Sequence, residues 1–327
     1  MFRKSGIALG GAIFAVAAVS AGVSHAAEAK LRAVSCFPIG SPVSKPYQAL
    51  IEEINKRGKG VVAIDLIGGA PKIGDTYTLV QKTGKGIYDM VGCTEAYFGN
   101  VVAEAPVLRF AEKSYKEIRK LGGMKIMEGL LNKKGLHYVG RYNDFGPFHL
   151  WLSQPIDKPD LTGLNLRVSP VYTAFFTSLG ATVQTSNLSQ IFTWMENNTV
   201  QGYGWPAGGW VPPWIKVTKF RVEPGFYNSA LHALVNLRKW KALSAEARKV
   251  IADVTMEFEA RSEPDSPELS SYLKKQKDWM ASKGMKTITF TGADREKWLK
   301  AASDAGWKEV LERSPKTGAE LKKIFAH

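Results

Sequence analysis

Residues 30–69, KLRAVSCFPIGSPVSKPYQALIEEINKRGKGVVAIDLIGG, decide the fold class. The β-branched and apolar run from Lys30 to Phe37 reads as a strand, Pro46 to Arg57 as a helix with proline in its first turn, and Val61 to Ile67 as a second strand. Downstream, Tyr77 to Lys85 reads as a helix and Asp89 to Cys93 as a third strand, which completes a βαβαβ alternation. Such alternation predicts an α/β protein with a parallel sheet covered by helices and a ligand site beyond the carboxyl ends of the strands. Cys36-Phe37, Gly68-Gly69 and Thr94-Glu95 all fall at that rim.

The pattern continues toward the C-terminus. Tyr115 to Leu131 reads as one helix, with Ile118, Leu121, Ile126 and Leu130 as its apolar stripe. Two strands, His137 to Arg141 and Phe148 to Ser153, are expected on either side of a breaker at Asn143 to Pro147. A further strand at Asn165 to Val168 leads into a helix at Tyr172 to Leu179, a strand at Thr182 to Gln184 and a helix at Leu188 to Asn197. From Gln201 to Pro213 glycine, proline and aromatic residues crowd together, and no long regular element is expected. Strand-like Ala230 to Leu237 is followed by helices at Ser244 to Arg261, with Ser244 as N-cap, and Pro267 to Lys283. A strand at Lys286 to Phe290 and helices to Phe325 close the chain.

The N-terminus is a separate case. Arg3 and Lys4, the apolar run Ile7 to Val19, and Ser24-His25-Ala26 have the three parts of a cleavable export signal over residues 1–26. The apolar run is shorter than the roughly 20 residues of a spanning helix, and every later hydrophobic run is soon interrupted by charge or proline. A soluble protein in the periplasm is therefore expected. Removing 26 of 327 residues leaves 301, room for two lobes at roughly 100–200 residues per domain. The 44 basic residues less Arg3 and Lys4 leave 42 against 30 acidic ones, a formal charge of +12. Lysines spread along helix-like stretches, as in Lys274-Lys275-Gln276-Lys277, without an arginine-rich tail, point to a solvated basic surface and away from nucleic acid.

Export also places Cys36 and Cys93 where a disulfide persists. They can meet only if the strands they follow are neighbours, so a disulfide and two buried thiols both remain open. No metal site is expected, because no histidine or cysteine cluster exists. HExxH, GxSxG and phosphate-loop patterns are absent, and Gly202 to Gly208 has the wrong spacing for a dinucleotide fingerprint.

The informative constellation is Leu161-Thr-Gly-Leu-Asn-Leu-Arg-Val-Ser-Pro170, in which Arg167 ends a short strand just before a helix. Guanidinium offers a planar fork of donors that matches a carboxylate. The motif is followed by Leu179-Gly-Ala181, by Asn187-Leu-Ser-Gln190 and by Val200-Gln-Gly202. Val43 to Gly69, Tyr88-Asp-Met-Val-Gly with Tyr97-Phe98, Glu104-Ala-Pro-Val-Leu108 and Val235 to Ser244 accompany it in order. Together they resemble the solute receptors of tripartite ATP-independent periplasmic (TRAP) transporters over nearly the whole mature chain.

The resemblance implies a two-lobed receptor that closes on a small organic acid and hands it to the membrane subunits of a permease, as a monomer with no cofactor and no catalysis. It implies lobe I at 27–146 plus about 234–274, and lobe II at 147–233 plus about 275–327. Arg167 takes the place of the carboxylate-binding arginine. Where the family often carries a second arginine, this chain has Phe148-His149, and Arg141 stands nearby as a substitute. Trp205 replaces an asparagine, and Gly204 replaces the acidic residue that precedes a tryptophan in metal-using members, so no metal is expected. With Tyr203 and Trp210, it suggests an apolar or aromatic monocarboxylate. Phe37 and Tyr97 are candidates from the first lobe, and Asn187 and Leu188 from the second. The competing readings are an exported hydrolase or isomerase with Glu95 or Asp144 as base, and a sensor component that signals through a membrane kinase.

Overall fold

The computed structural model describes residues 1–2 and 27–326, so the export signal read over residues 1–26 falls, from residue 3 onward, outside the described residues. No helix among the described residues is long and apolar enough to cross a membrane.

The first segment forms as its alternation predicts: β1 (Ala29–Ser35), α1 (Lys45–Arg57), β2 (Val62–Gly69), α2 (Leu79–Gly84) and β3 (Met90–Cys93). β1 lies between β2 and β3 and is parallel to both. α1 buries Tyr47, Leu50, Ile51 and Ile54, the i, i+3, i+4, i+7 face that a helix turns toward a sheet. Ser35 of β1 pairs with Gly92 of β3. The residues that follow them, Cys36 and Cys93, are thereby brought to a Cα separation of 5.1 Å and are joined in a disulfide.

The helix read over Tyr115 to Leu131 is two helices, α3 (Tyr115–Lys120) and α4 (Gly123–Asn132). The break is at Gly122, whose φ of +84° is left-handed and ends the first helix where a residue with a Cβ would be strained. α3 starts with a capping box between Ser114 and Glu117.

A second departure concerns the two strands expected around Asn143 to Pro147. They are one strand, β4 (Leu136–Leu152), whose pairing shifts register at Tyr138/Gly140, Arg141/Asn143, Asp144/Pro147 and Pro147/Phe148. Breaker residues thus act as bulges inside a strand whose partner keeps the ladder going. Beyond it come β5 (Asn165–Val168), α5 (Thr173–Ser178), β6 (Thr182–Thr185), α6 (Ile191–Glu196) and β7 (Gly202–Pro206). β7 is a strand of 5 residues within the segment where no long regular element is expected. Its glycines allow the close approach that pairing there requires, since a Cβ on Gly204 would stand 2.5 Å from the Tyr172 ring.

The rest of the chain supplies β8 (Phe220–Glu223), β9 (Phe226–Asn236), α7 (Leu237–Ala242), α8 (Ala245–Arg261), α9 (Pro267–Ser282), β10 (Lys286–Thr289), α10 (Gly292–Arg313) and α11 (Pro315–Phe325). Ser244 caps α8 as read, its hydroxyl accepting from Ala247 N at 3.1 Å.

Among the described residues, ten strands belong to one mixed sheet, in the order β2-β1-β3-β9-β4-β7-β5-β6, with β8 paired to β4 and β10 paired to β8. The two-lobed α/β architecture hangs on the long antiparallel pair at its centre. One end of β9 pairs with β3 through Met90 to Cys93, while the far end of β4 pairs with β7 through Phe148 to Leu152. α8 packs on α1 and β4, and α10 packs on α5.

Candidate functional site

Parallel strands deliver their carboxyl ends to one rim, and the sequence continues from those ends into a narrow, partly open cavity. Phe37 follows β1; Thr94, Ala96 and Tyr97 follow β3; Arg167 and Ser169 lie at the end of β5, with Tyr172 in the turn beyond. The antiparallel strands add Phe148 from β4, Trp205 and Pro206 from β7, and Ser229 and Leu231 from β9, with Val43 and Phe145 completing the wall. The space among these atoms, counting what opens to solvent, is about 360 Å³, and it is narrow throughout. Its wall is ring and aliphatic surface broken by hydroxyls and one guanidinium; no carboxylate, lysine or histidine lines it.

Arg167 is wholly buried. β5 fixes its backbone by pairing it with Gln184 of β6 and Tyr203 of β7. Its guanidinium donates from Nε to Ser186 Oγ at 3.3 Å, from Nη2 to Ser186 O, and from Nη1 to Tyr172 Oη at 3.4 Å. Tyr172 in turn donates to Gly204 O at 2.7 Å. Every one of these acceptors is neutral.

The other buried arginines are built differently. Arg109 Nε stands 3.5 Å from Glu95 Oε1. Arg141 lies 3.3 Å from Asp144 Oδ2 and 3.0 Å from Glu263 Oε2, and Arg221 pairs with Glu223. Among the described residues, Arg167 is the buried arginine with no carboxylate within 4 Å. Burying a cation without a counter-ion costs several kcal/mol, and an anion that enters beside it recovers much of that in charge-assisted hydrogen bonds.

Of the residues singled out from the sequence, Phe37, Tyr97, Phe148, Arg167 and Trp205 meet at the cavity. Six others do not line it. His149 alternates to the other side of β4 from Phe148 and donates from Nδ1 to Val222 O at 2.9 Å. Burial, opposed by Glu223 nearby, lowers its pKa to about 4 and keeps the ring neutral. Tyr203 shares a hydrogen bond of 2.9 Å with Thr218 Oγ1 and packs edge-on against Trp214. Trp210 belongs to a tryptophan cluster, 5.1 Å from Trp151 and 5.8 Å from Trp214 between ring centroids. Asn187 caps its own turn by accepting from Ser189 N and Oγ at 3.1 and 2.6 Å, and Leu188 packs from that turn against the core. Arg141, considered as a second clamp, is held in its ion pairs away from the cavity.

Neither acid considered as a base lines the cavity. Glu95 is buried behind Thr94 and Ala96, where Oε2 accepts from Thr94 Oγ1 at 3.0 Å and from His232 Nε2 at 3.3 Å. Asp144 accepts from Gly146 N at 2.7 Å, and burial, opposed by Arg141, pushes its pKa up to about 7. No group of three or more potential metal ligands occurs among the described residues.

Several lining residues carried no signal of their own. Ser169 and Tyr172 were within reach of sequence reasoning, because they occupy the turn directly after Arg167. Ser229 and Leu231 were not, since they sit within the long strand β9 and only its pairing brings them to the rim.

The family model for bacterial extracellular solute-binding protein, family 7, matches residues 35–314. A solute-binding protein of Roseobacter denitrificans is 23% identical over 276 residues, covering 80% of this chain and 81% of that protein. Among solved structures, a TRAP periplasmic solute-binding protein of Desulfovibrio salexigens with bound orotic acid is similar at a TM-score of 0.78 and 16% identity, covering 91% of this chain and 97% of that one. An extracytoplasmic solute receptor of Bordetella pertussis that binds pyroglutamic acid gives a TM-score of 0.79 at 15% identity, with 91% and 99% covered. A TRAP solute-binding protein of Roseobacter denitrificans with bound L-galactonate gives 0.74 at 19% identity, with 92% and 99% covered.

Proposed function

This chain belongs to bacterial extracellular solute-binding protein family 7, a family of receptors that act outside the cytoplasm, and we propose that its solute is a monocarboxylate with an apolar or aromatic body, delivered to the membrane subunits of a TRAP permease. The observation that carries the reading is the buried Arg167 guanidinium with neutral partners only. A carboxylate supplies the charge it lacks and two oxygens for its donors. The rest of the cavity favours the other end of such a ligand. Phe37, Tyr97, Phe148 and Trp205 present ring surface, and no second cation lines the wall to hold a second carboxylate. The solved relatives with orotic acid, pyroglutamic acid and L-galactonate support an organic acid in general. The ring-lined wall here distinguishes the first two, compact cyclic acids, from the polyhydroxylated third.

The cavity as it stands is too narrow to admit such a molecule freely, so loading requires the mouth to open and then close, the hinge motion of two-lobed receptors. The test is a thermal-shift screen of the mature protein against aliphatic, hydroxy, dicarboxylic, sugar and aromatic acids, repeated with Arg167→Ala. A ligand that binds only the folded state raises Tm, by about 2.7 kcal/mol of stabilisation at a hundredfold excess over Kd. The expected result is a shift with aromatic or apolar monocarboxylates that Arg167→Ala abolishes. Equal shifts in both proteins would remove Arg167 as the anchor, and a response to sugar acids or dicarboxylates alone would overturn the ligand class.

A further inference from the structure

We propose that Tyr77, on the connection between β2 and α2, contacts the ligand by donating its phenolic hydrogen to the carboxylate that Arg167 binds. The inference rests on the carboxylate reading above and adds to it a residue at which the acid is read.

Tyr77 Oη is shut off from solvent and has no hydrogen-bond partner, although a buried phenol ordinarily finds one. The backbone around it is fully engaged. Tyr77 N donates to Asp75 Oδ1 at 2.8 Å, and its carbonyl accepts from Asn100 Nδ2 at 3.2 Å. The hydroxyl is therefore held in place without anything to bond. Its ring stands edge-on to Tyr97, 5.1 Å between centroids at 75°, and Tyr97 lies 5.4 Å from Phe37. Tyr97 and Phe37 line the cavity, and Tyr77 packs against Tyr97. Burial holds the phenols of Tyr77 and Tyr97 well above their usual range, up to about 12 for Tyr97, while the Arg167 charge pulls both back down.

Other buried phenols without partners do not share this setting. Tyr47 and Tyr142 face one another, 5.3 Å between ring centroids, and neither feels Arg167. Two unmet needs thus converge: a guanidinium without an anion and, behind the same wall, a phenol without an acceptor. One carboxylate meets both, since it has two oxygens with about four lone-pair sites and no donor of its own. Tyr97 stands between Tyr77 and the cavity, so the contact requires Tyr97 to shift when the cavity widens to load.

The experiment uses acetate as probe, at constant ionic strength against chloride, with thermal shift read on the wild-type mature protein, Tyr77→Phe and Arg167→Met. The expected result is stabilisation of the wild type by acetate, none in Arg167→Met, and an apparent affinity in Tyr77→Phe reduced by about five- to tenfold. The unliganded Tm of Tyr77→Phe should hold or rise, because the hydroxyl has no bond to lose. Wild-type affinity in Tyr77→Phe overturns the assignment while leaving the carboxylate reading intact. A lowered unliganded Tm also overturns it, by showing that the hydroxyl has a structural partner. Weakening in Tyr77→Phe with full binding by Arg167→Met breaks the shared carboxylate, and no response to acetate in the wild type removes both the assignment and the reading it rests on.

Discussion

Arg109 and Arg167 are both fully buried and belong to opposite designs. Arg109 lies between the rings of Phe110 and Tyr227, 5.3 and 5.9 Å from their centroids, with Glu95 beside Nε. Glu95 is itself tied to Thr94 and to His232, whose Nδ1 shares a hydrogen bond of 3.1 Å with Tyr138 Oη. That charge has a carboxylate beside it, although none of the Arg109 nitrogens makes a hydrogen bond. Arg167 is ringed by a serine and a tyrosine, and its charge is left for something else to balance. On the proposed reading, the missing counter-ion, and not burial alone, is what sets a ligand-binding arginine apart.

The contrast can be broken most sharply at Glu95. Glu95→Gln leaves Arg109 buried beside a neutral amide, and the expected cost is about 3–5 kcal/mol of unfolding free energy by urea denaturation. A loss below about 1 kcal/mol would mean that the pair does not balance Arg109 and that the two arginines are alike. Asp144 offers an effect of intermediate size. Its carboxyl, raised to about 7, keeps its proton in the folded state over a range in which the unfolded chain has released it. The folded state therefore binds more protons between roughly pH 4 and 7, and stability from this group is present below that window and lost as pH rises through it. Asp144→Asn should flatten that slope by on the order of 1 kcal/mol per pH unit, read as Tm against pH, and an unchanged slope would discard the assignment. The smallest effect is expected at Arg167 itself. Arg167→Met breaks no ion pair, so the unliganded protein should keep its stability within about 1 kcal/mol or gain. A loss of the size expected for Glu95→Gln would show that Arg167 is a structural cation after all.

Arg167 was legible because its signals are local: a short strand, an arginine at its end, a turn and a helix within ten residues. The βαβαβ start was legible for the same reason. What escaped was decided by pairing between distant segments. Gly146 and Pro147 read as a stop, yet the β9 partner carries the ladder past them as bulges. Gly202 to Pro206 reads as loop, yet β4 and β5 on either side make it a strand. Phe148 and His149 are neighbours in the chain and equal candidates by composition, but only the register tells which one reaches the cavity, since a shift of one residue exchanges the faces. Tyr203 and Trp210, expected at the ligand pocket, instead pack in the neighbouring core against Trp214.

The disulfide between Cys36 and Cys93 sits one residue before Phe37 and Thr94, both of which border the cavity. The strands preceding those cysteines are already paired in register. The crosslink therefore acts as a clasp between two segments that border the cavity, in addition to bracing the sheet. Its two thiols lie 57 positions apart, so the clasp can be fastened only once β1 and β3 have found each other. A receptor whose clasp is fastened has, by that fact, been proofread for the part of its fold that frames the ligand.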